Sequence, residues 1–297
     1  MRGEYREAFV LDVGSTSVRL LIGSMTADSG IEIRYEAGRI SGLGHALRGD
    51  GRLPVPAVEE TLRAVREILL DAGDRLPDRG ACVCTHAVRR AVNAGEILDG
   101  LTTLTGLKPE VLTPHREGVL AWQGSRELLG ERSILVDLGG GSTEIVRRKD
   151  RDTFDVLSIP VGAGTAIEDH LEAADETWRR WQGITGFRLD KSGTMVVLGG
   201  TATTLVAIAR NYRRYIPGKL HGVSVSCADL AAVLTFVSIL DPVSRRQIPS
   251  MEPGREEIIV TGGRLLMALC RILGADSLVI SERGIRFGRL LELIEGI

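Results

Sequence analysis

The chain has 297 residues, of which 37 are Lys or Arg and 39 are Asp or Glu, so its formal net charge is −2. An apolar content of 43% and a charged content of 26% are those of a folded globular protein, which excludes a disordered chain and a coiled coil. The nearly neutral charge argues against a nucleic-acid polymer as partner, so an anionic ligand requires a local site. The length favours two domains, and glycine, with 36 residues, is in excess.

The predicted elements alternate between strand-like and helix-like segments, which indicates the α/β class. In chain order they are strands over Ala8–Val13, Val18–Gly23 and Ile31–Ile40, a helix over Val55–Asp71, a strand over Ala81–Thr85, a short helix opened by an Asn93/Glu96 capping box, a strand over Glu110–Thr113, a helix from an N-cap at Thr113 toward Leu129, strands over Ser133–Leu138, Thr143–Arg148 and Phe154–Ile159, a helix over Gly164–Leu171, a strand over Thr194–Leu198, helices over Thr201–Ala209, Cys227–Leu240 and Glu256–Leu273, a strand over Ser277–Ser281 and a helix over Gly284–Ile294.

The sequence shows no segment typical of a membrane protein. The apolar stretch from Leu230 to Leu240 is shorter than the roughly 20 residues that cross a bilayer, and the N-terminus does not read as a signal peptide. The four cysteines form no disulfide framework and are expected to be buried thiols. A cytoplasmic protein without a membrane partner is therefore expected.

A short sequence pattern occurs twice. Leu11–Val18 and Val136–Ile145 both read apolar-Asp-apolar-Gly, then small polar residues, then a strand. The two aspartates are Asp12 and Asp137. This repeat predicts a duplicated domain with two glycine hairpins that face each other across a cleft.

The glycine excess is concentrated in turns that follow strands. Glycine lets a ligand approach the backbone, and turns of small residues present amide groups that bind anions, phosphate in particular. An ordinary turn is the alternative at the first three of these sites. The turns are Gly14-Ser15-Thr16-Ser17, Gly139-Gly140-Gly141-Ser142-Thr143 and Gly199-Gly200-Thr201, with Gly162-Ala163-Gly164 as a fourth.

Charged residues near these turns could complete an anion site. Arg89 follows a strand end, where α/β folds place ligands, although an ordinary surface arginine is the alternative. Glu117 lies in the first turn of a helix, where the helix dipole alone would favour it. Arg19 and Arg286 are further candidates. The sequence has no P-loop, no Gly-x-Ser-x-Gly elbow and no paired histidines, so those chemistries are not expected.

Taken together, the motifs resemble the actin-like ATPase superfamily and, more narrowly, the exopolyphosphatase/guanosine pentaphosphate phosphohydrolase (Ppx/GppA) family in its short form. The narrow resemblance spans residues 11 to 288. It rests on Leu11-Asp12-Val13-Gly14-Ser15 with Ser17-Val18-Arg19-Leu20, Thr85-x-Ala87-x-Arg89-x-Ala91-x-Asn93, Glu117-Gly118 after Thr113-Pro114, Asp137-x-Gly139-Gly140-Gly141-Ser142-Thr143-Glu144, Ser158-x-Pro160-x-Gly162, Gly199-Gly200-Thr201 with Thr203-Thr204-Leu205, His221-Gly222 and Gly284-x-Arg286.

The resemblance implies two duplicated actin-like (ribonuclease H-like) domains, over 1–126 and 127–282, with an active site in the interdomain cleft and a C-terminal helix, 283–297, packed on the first domain. It implies removal of the terminal phosphate from inorganic polyphosphate or the 5′ γ-phosphate of pppGpp, a nucleotide of the stringent response. Glu117 would activate water and Arg89 would grip the phosphate.

The resemblance further implies Mg²⁺ held by Asp137 and Glu144 with help from Asp12, and phosphate or chain binding by Arg19 and Arg286. A homodimer is also an expectation. Two departures stand out: Thr16 where many members have Asn, and Phe287 where Glu commonly follows the arginine. The alternatives are an actin-like ATPase or sugar kinase, and a non-catalytic regulator that binds polyphosphate or (p)ppGpp.

Overall fold

The computed structural model describes residues 7–26, 30–47, 49–151, 153–165, 186–190, 193–214 and 216–296. The chain divides into two units. Unit 1 contains Met1–Gly124 and Ile285–Ile297, and unit 2 contains Ser125–Gly284. Each unit has its own sheet and its own hydrophobic core.

The strands and helices follow in chain order. The strands are β1 (Glu7–Val13), β2 (Ser17–Met25), β3 (Ile31–Ile40), β4 (Gly80–Cys84), β5 (Glu110–Val111), β6 (Ile134–Leu138), β7 (Thr143–Arg148), β8 (Phe154–Ile159), β9 (Met195–Leu198), β10 (Ser224–Ser226) and β11 (Ser277–Ile280). The helices are α1 (Val55–Ala72), α2 (His86–Arg90), α3 (Ala94–Thr105), α4 (Pro114–Gly124), α5 (Gly200–Ala209), α6 (Cys227–Ser238), α7 (Pro242–Arg246), α8 (Ile259–Leu273) and α9 (Ile285–Glu295).

The sheet of unit 1 has the strand order β3-β2-β1-β4-β5. β1 is apolar on both faces because helices cover both. Phe9, Leu11 and Val13 join one core cluster, to which α1 and α3 contribute, whereas Ala8 and Val10 join a second cluster with side chains of α4 and α9. The last helix packs closely on α4, since a Cβ at Gly288 would lie 2.0 Å from the carbonyl oxygen of Leu120.

The sheet of unit 2 has the strand order β10-β11-β9-β6-β7-β8. The first three strands of each unit run antiparallel to their neighbours, and a later strand, β4 or β9, then pairs in parallel with the first. The repeat seen around Asp12 and Asp137 therefore extends over four strands of each sheet. The predicted duplicated α/β architecture is confirmed.

Several predicted elements need correction. The helix expected to reach Leu129 ends at Gly124 and is followed by a 3₁₀ turn over Arg126–Leu128. Asn93 precedes α3 but makes no capping bond, because its side chain instead bonds the backbone N–H and C=O of Leu53. The N-cap at Thr113 is confirmed by its hydroxyl, which accepts from the Arg116 amide at 3.2 Å.

Some short elements of the structure have no counterpart in the sequence pattern. The short helices α2 and α7 and the strand β10 were not predicted, since each has five residues or fewer and no measurable periodicity. The helix expected over Gly164–Leu171 extends outside the described residues. All four cysteines are free; Cys227 is only partly buried and the other three are buried. Across the described part of the chain, no helix has the length and apolar character needed to span a bilayer.

Candidate active-site residues in the two units

The turn between β1 and β2, residues Gly14–Ser17, is called hairpin 1. It is closed by a hydrogen bond from the Gly14 amide to the Ser17 carbonyl at 3.0 Å. The segment that follows β3, Ser41–Gly44, packs against it and is called backing segment 1. Its approach is close, because a Cβ at Gly44 would lie 2.5 Å from the Cβ of Ser15.

Backing segment 1 fixes the direction of the peptide groups in hairpin 1. The Gly44 amide donates to the Ser15 carbonyl at 2.7 Å, and the Ser41 and Gly42 amides both donate to the Thr16 carbonyl at 3.0 Å. No peptide bond in the described structure is cis, and a trans peptide directs its N–H opposite to its C=O. The amides of Thr16 and Ser17 therefore point away from the backing segment.

Unit 2 repeats this device with different residues. Hairpin 2, residues Gly139–Ser142, joins β6 to β7, and backing segment 2, Gly162–Gly164, follows β8. The Ala163 amide donates to the Gly139 carbonyl at 2.9 Å, and the Gly164 amide donates to the Gly140 carbonyl at 2.8 Å. The amides of Gly140 and Gly141 consequently point away from backing segment 2.

Gly162 is required for this contact. A Cβ at this position would lie 2.5 Å from the carbonyl oxygen of Gly139 and 2.7 Å from the nitrogen of Gly141. The glycine turn Gly162-Ala163-Gly164 thus supports the glycine turn of hairpin 2. Backing segment 1, its counterpart in unit 1, was missed, because a single Gly-Leu-Gly after a strand gives no signal of its own.

The third glycine turn, Gly199–Thr201, opens α5 and is called turn 3. β9 pairs in parallel with β6, with Leu198 opposite Asp137, so turn 3 and hairpin 2 lie at the same edge of the sheet. Gly199 has φ +112°, which favours glycine, and α5 has no side-chain cap. A Cβ at Gly200 would lie 2.0 Å from the Arg255 guanidinium, so the space at Gly200 is filled by a buried arginine that sequence reasoning missed.

In unit 1, Arg89 and Glu117 form an ion pair. Arg89 lies in α2, directly after β4, and its Nη1 donates to Glu117 Oε1 and, at 2.7 Å, to the Leu112 carbonyl. Glu117 lies in the first turn of α4 and is only 3% exposed. The structure thus brings together two residues that the sequence put forward separately, Arg89 and Glu117.

This ion pair belongs to the same sheet edge as hairpin 1. β1 and β4 are parallel, with Val13 opposite Cys84, so Gly14 and Thr85 follow neighbouring strand ends. The Arg89 amide donates to the Thr85 carbonyl at 3.0 Å, which begins α2 there. Arg89 and His86 are close enough for their charges to interact: burial, and then Arg89 and Arg90, lower the pKa of His86 to about 4.

Two arginines of unit 1, Arg19 and Arg286, interact with the charge of Asp12. It lies opposite Arg19 in the β1–β2 ladder, so the two side chains share one face of the sheet. Burial raises the pKa of Asp12 to about 6, while Arg286 and Arg19 act in the opposite direction. Its Oδ1 is buried and has no hydrogen-bond partner among the described residues.

Arg286, at the start of α9, is 8% exposed and donates from Nη1 to Glu36 Oε1 at 2.8 Å. Glu36 lies in β3 and was not singled out from the sequence. At position 287, one of the two departures noted in the sequence, a buried phenylalanine follows the arginine, and the carboxylate that Arg286 contacts belongs to Glu36 in β3.

In unit 2 the pair that corresponds to Asp12 and Arg19 lies on the strands that flank hairpin 2 and consists of two acids. Asp137 lies opposite Glu144, so their side chains share one face with Cβ atoms about 5 Å apart. Glu144 is 3% exposed and accepts from the Ser158 hydroxyl at 2.8 Å. Among the described residues, no group of three or more His, Cys, Asp or Glu is arranged to hold a metal ion.

The duplicated sheets and their glycine hairpins are those of the actin-like fold. A solved structure of the Ppx/GppA family member of Aquifex aeolicus is 30% identical, with a TM-score of 0.79, and 98% of each chain is covered. An exopolyphosphatase structure from Cytophaga hutchinsonii shares the fold, with a TM-score of 0.83 at 19% identity over 98% of this chain and 99% of that one.

The family assignment rests on a match that covers most of the chain. Residues 21–296 match the model of the Ppx/GppA phosphatase family, and the chain belongs to that family. It is also 29% identical to exopolyphosphatase 2 of Mycobacterium tuberculosis over 311 aligned positions, which cover 95% of this chain and 97% of that protein.

Proposed function

We propose that the protein is an exopolyphosphatase, which hydrolyses the terminal phosphoanhydride bond of inorganic polyphosphate. The observation that carries the proposal is the fixed direction of the hairpin amides. In each unit the carbonyls are occupied by a backing segment, so consecutive N–H groups point to the other side and can bind phosphate oxygens. The name of the mycobacterial relative supports polyphosphate as the substrate.

One hydroxyl of hairpin 1 fits the same ligand. Thr16 Oγ1 is buried and has no hydrogen-bond partner in the described ranges of the chain, whereas Ser15 Oγ, which also lacks one, lies against backing segment 1. A buried hydroxyl without a partner is costly, and a phosphate oxygen would relieve that cost. We therefore assign phosphate binding to Gly14–Ser17 in unit 1 and to Gly139–Thr143 and Gly199–Thr201 in unit 2.

Glu117 is assigned the role of general base. Its carboxylate accepts the proton of a water molecule whose oxygen attacks the terminal phosphorus, while the bridging P–O bond breaks and the shortened chain leaves with the bond's electron pair. Little covalent help is needed in such a transfer, which depends on positioning and charge stabilisation. Arg89, held by Glu117 and Leu112, supplies positive charge and aligns the base.

Two acids on the strands that flank hairpin 2 fit a Mg²⁺ ion. Mg²⁺ is usually bound by one or two carboxylates together with water and substrate phosphates, and Asp137 and Glu144 provide two carboxylates on one face. When bound there, the ion would supply positive charge to phosphoryl oxygens. Asp12 fits a metal less well, because Arg19 and Arg286 already place positive charge beside it.

The 5′ γ-phosphate of pppGpp is a second substrate within the proposal. Arg19 and Arg286 are assigned to the more distant part of either substrate. Arg286 is held by Glu36, so a substrate phosphate would have to compete with that carboxylate.

One assay tests the proposal. Phosphate release is measured from polyphosphate, pppGpp and ATP, each with Mg²⁺ and with EDTA. We expect release from polyphosphate that is lost with EDTA. Release from ATP alone would indicate an actin-like ATPase, and binding of polyphosphate or (p)ppGpp without release would indicate a non-catalytic regulator; either result would refute the proposal.

A further inference from the structure

The N-terminal end of α8 contacts two of the glycine turns in unit 2. Gly262 lies in the first turn of this helix and is buried. A Cβ at Gly262 would lie 2.5 Å from Thr201 Oγ1, 2.9 Å from the Cβ of Ala163 and 3.0 Å from Thr201 Cγ2. The helix therefore approaches backing segment 2 and turn 3 at the same residue.

Neither neighbour can move freely. Thr201 is 2% exposed and β-branched, so it has few alternative rotamers. Ala163 is 4% exposed, and its Cβ follows the backbone, whose amide donates to the Gly139 carbonyl at 2.9 Å. A side chain at position 262 would consequently displace backing segment 2, turn 3 or both, and with backing segment 2 the amide directions of hairpin 2.

A second contact joins α8 to backing segment 2. The hydroxyl of Thr261 lies 3.1 Å from the Ala163 carbonyl and 3.0 Å from the Ile258 carbonyl, so its one proton is shared between them. Ala163 is thus held through both of its backbone groups, its amide by hairpin 2 and its carbonyl by α8.

We propose that Gly262 and Thr261 are positioning residues that set the spacing between hairpin 2 and turn 3. Neither residue is assigned contact with substrate, and both act through Ala163 or Thr201. This inference rests on the proposed function, because it concerns the affinity of the phosphate-binding turns. It adds a determinant, the start of α8, that lies outside every motif found in the sequence.

The neighbouring glycine provides a matched control. A Cβ at Gly263 would meet Leu234 Cδ1 at 2.6 Å and Leu205 Cδ1 at 3.3 Å, which are apolar side chains of α6 and α5. Gly262→Ala and Gly263→Ala therefore add the same methyl group to the same helix with similar crowding. Only the first one presses on backing segment 2 and turn 3.

The experiment compares these variants by kinetics and by binding. With polyphosphate, we expect Gly262→Ala to raise KM about tenfold with kcat changed less than threefold, and Gly263→Ala to leave KM within about twofold. The Tm should fall in both variants, and further in Gly262→Ala, because the leucine side chains beside Gly263 can move and Thr201 and Ala163 cannot. By calorimetry, the Kd for inorganic triphosphate should rise about tenfold in Gly262→Ala only. Equal KM and Kd in the two variants would overturn the inference.

A milder pair covers the case in which Gly262→Ala does not fold. Thr261→Val, which removes the hydroxyl, should weaken triphosphate binding about threefold, and Thr261→Ser should restore it. Wild-type-like binding by Thr261→Val would refute the role of Thr261. A wild-type protein that binds triphosphate but hydrolyses no polyphosphate would refute the proposed function alone, since the binding comparison remains decisive for the positioning residues.

Discussion

Glu117→Gln removes a negative charge and keeps the shape of the side chain. The Gln oxygen can still accept from Arg89 Nη1, so one charged hydrogen bond is replaced by a weaker one and the guanidinium remains hydrogen-bonded to Leu112. The difference between such bonds is about 1 kcal/mol, and incomplete neutralisation of the partly exposed Arg89 brings the expected stability loss to about 1–2 kcal/mol. The variant should therefore fold.

The expected effect on rate is much larger. Loss of a general base lowers kcat by roughly 10²–10⁴-fold, which corresponds to about 3–5 kcal/mol of transition-state stabilisation. KM for polyphosphate should change little, because the phosphate-binding amides are intact. Phosphate release under saturating polyphosphate and Mg²⁺ measures this directly. Near-wild-type release by Glu117→Gln would remove Glu117 as the base.

Glu292→Gln is the matched control. Glu292 is 8% exposed and accepts from Arg116 Nη2 at 2.5 Å and Arg289 Nη1 at 3.1 Å, so it is another buried, ion-paired glutamate of unit 1. It has no assigned role in the reaction. The control should lose stability comparably while kcat stays within about twofold. If both variants lose activity equally, the loss at Glu117 reflects stability rather than chemistry.

Three further predictions concern charge. Arg89→Ala should weaken triphosphate binding by about 1.5–3 kcal/mol, the range of a charge-assisted hydrogen bond, and unchanged binding by calorimetry would exclude a phosphate contact. Asp137→Asn should raise the Mg²⁺ concentration for half-maximal phosphate release at least tenfold, roughly the effect of losing one ligand's support. The control Asp155→Asn should leave that concentration unchanged. Equal Mg²⁺ concentrations for the two variants would exclude Asp137 as a ligand. The pKa of Asp12 is raised to about 6 in the folded state, so the contribution of Asp12 to stability falls as pH rises from about 4 to 6. The pKa of His86 is lowered to about 4, so the contribution of His86 to stability falls as pH drops from about 6.5 to 4. Urea titrations should therefore show opposite changes in pH slope for Asp12→Asn and His86→Gln, each about 1–3 kcal/mol over its own interval. Changes of the same sign would contradict one of the two assignments, and the sign identifies which one.

The hairpins could be predicted from sequence because their signals are local. An apolar strand, an aspartate and a run of small residues lie within about ten positions, and the strand pairing that follows a tight turn is nearly determined by it. The Asp137/Glu144 and Asp12/Arg19 oppositions follow from the same short segments.

Contacts between distant segments could not be predicted in this way. Backing segment 1 meets hairpin 1 only after β3 has returned along β2, and Glu36 meets Arg286 across 250 positions. Nothing near Arg255 indicates that its guanidinium lies over Gly200. Asn93 shows the opposite failure, because a correct local capping pattern was overridden by hydrogen bonds to Leu53.

The support of the hairpins by backbone hydrogen bonds has a consequence for variation among related proteins. The bonds from Ala163 and Gly164 to hairpin 2, and from Ser41, Gly42 and Gly44 to hairpin 1, involve no side-chain atom. Most substitutions at these positions cannot remove the bonds. The exceptions are proline, which has no N–H to donate, and a side chain added at a tightly packed glycine such as Gly44 or Gly162. A single substitution can therefore remove a side-chain contact such as Arg286–Glu36, while the amide directions that we propose to bind phosphate are kept.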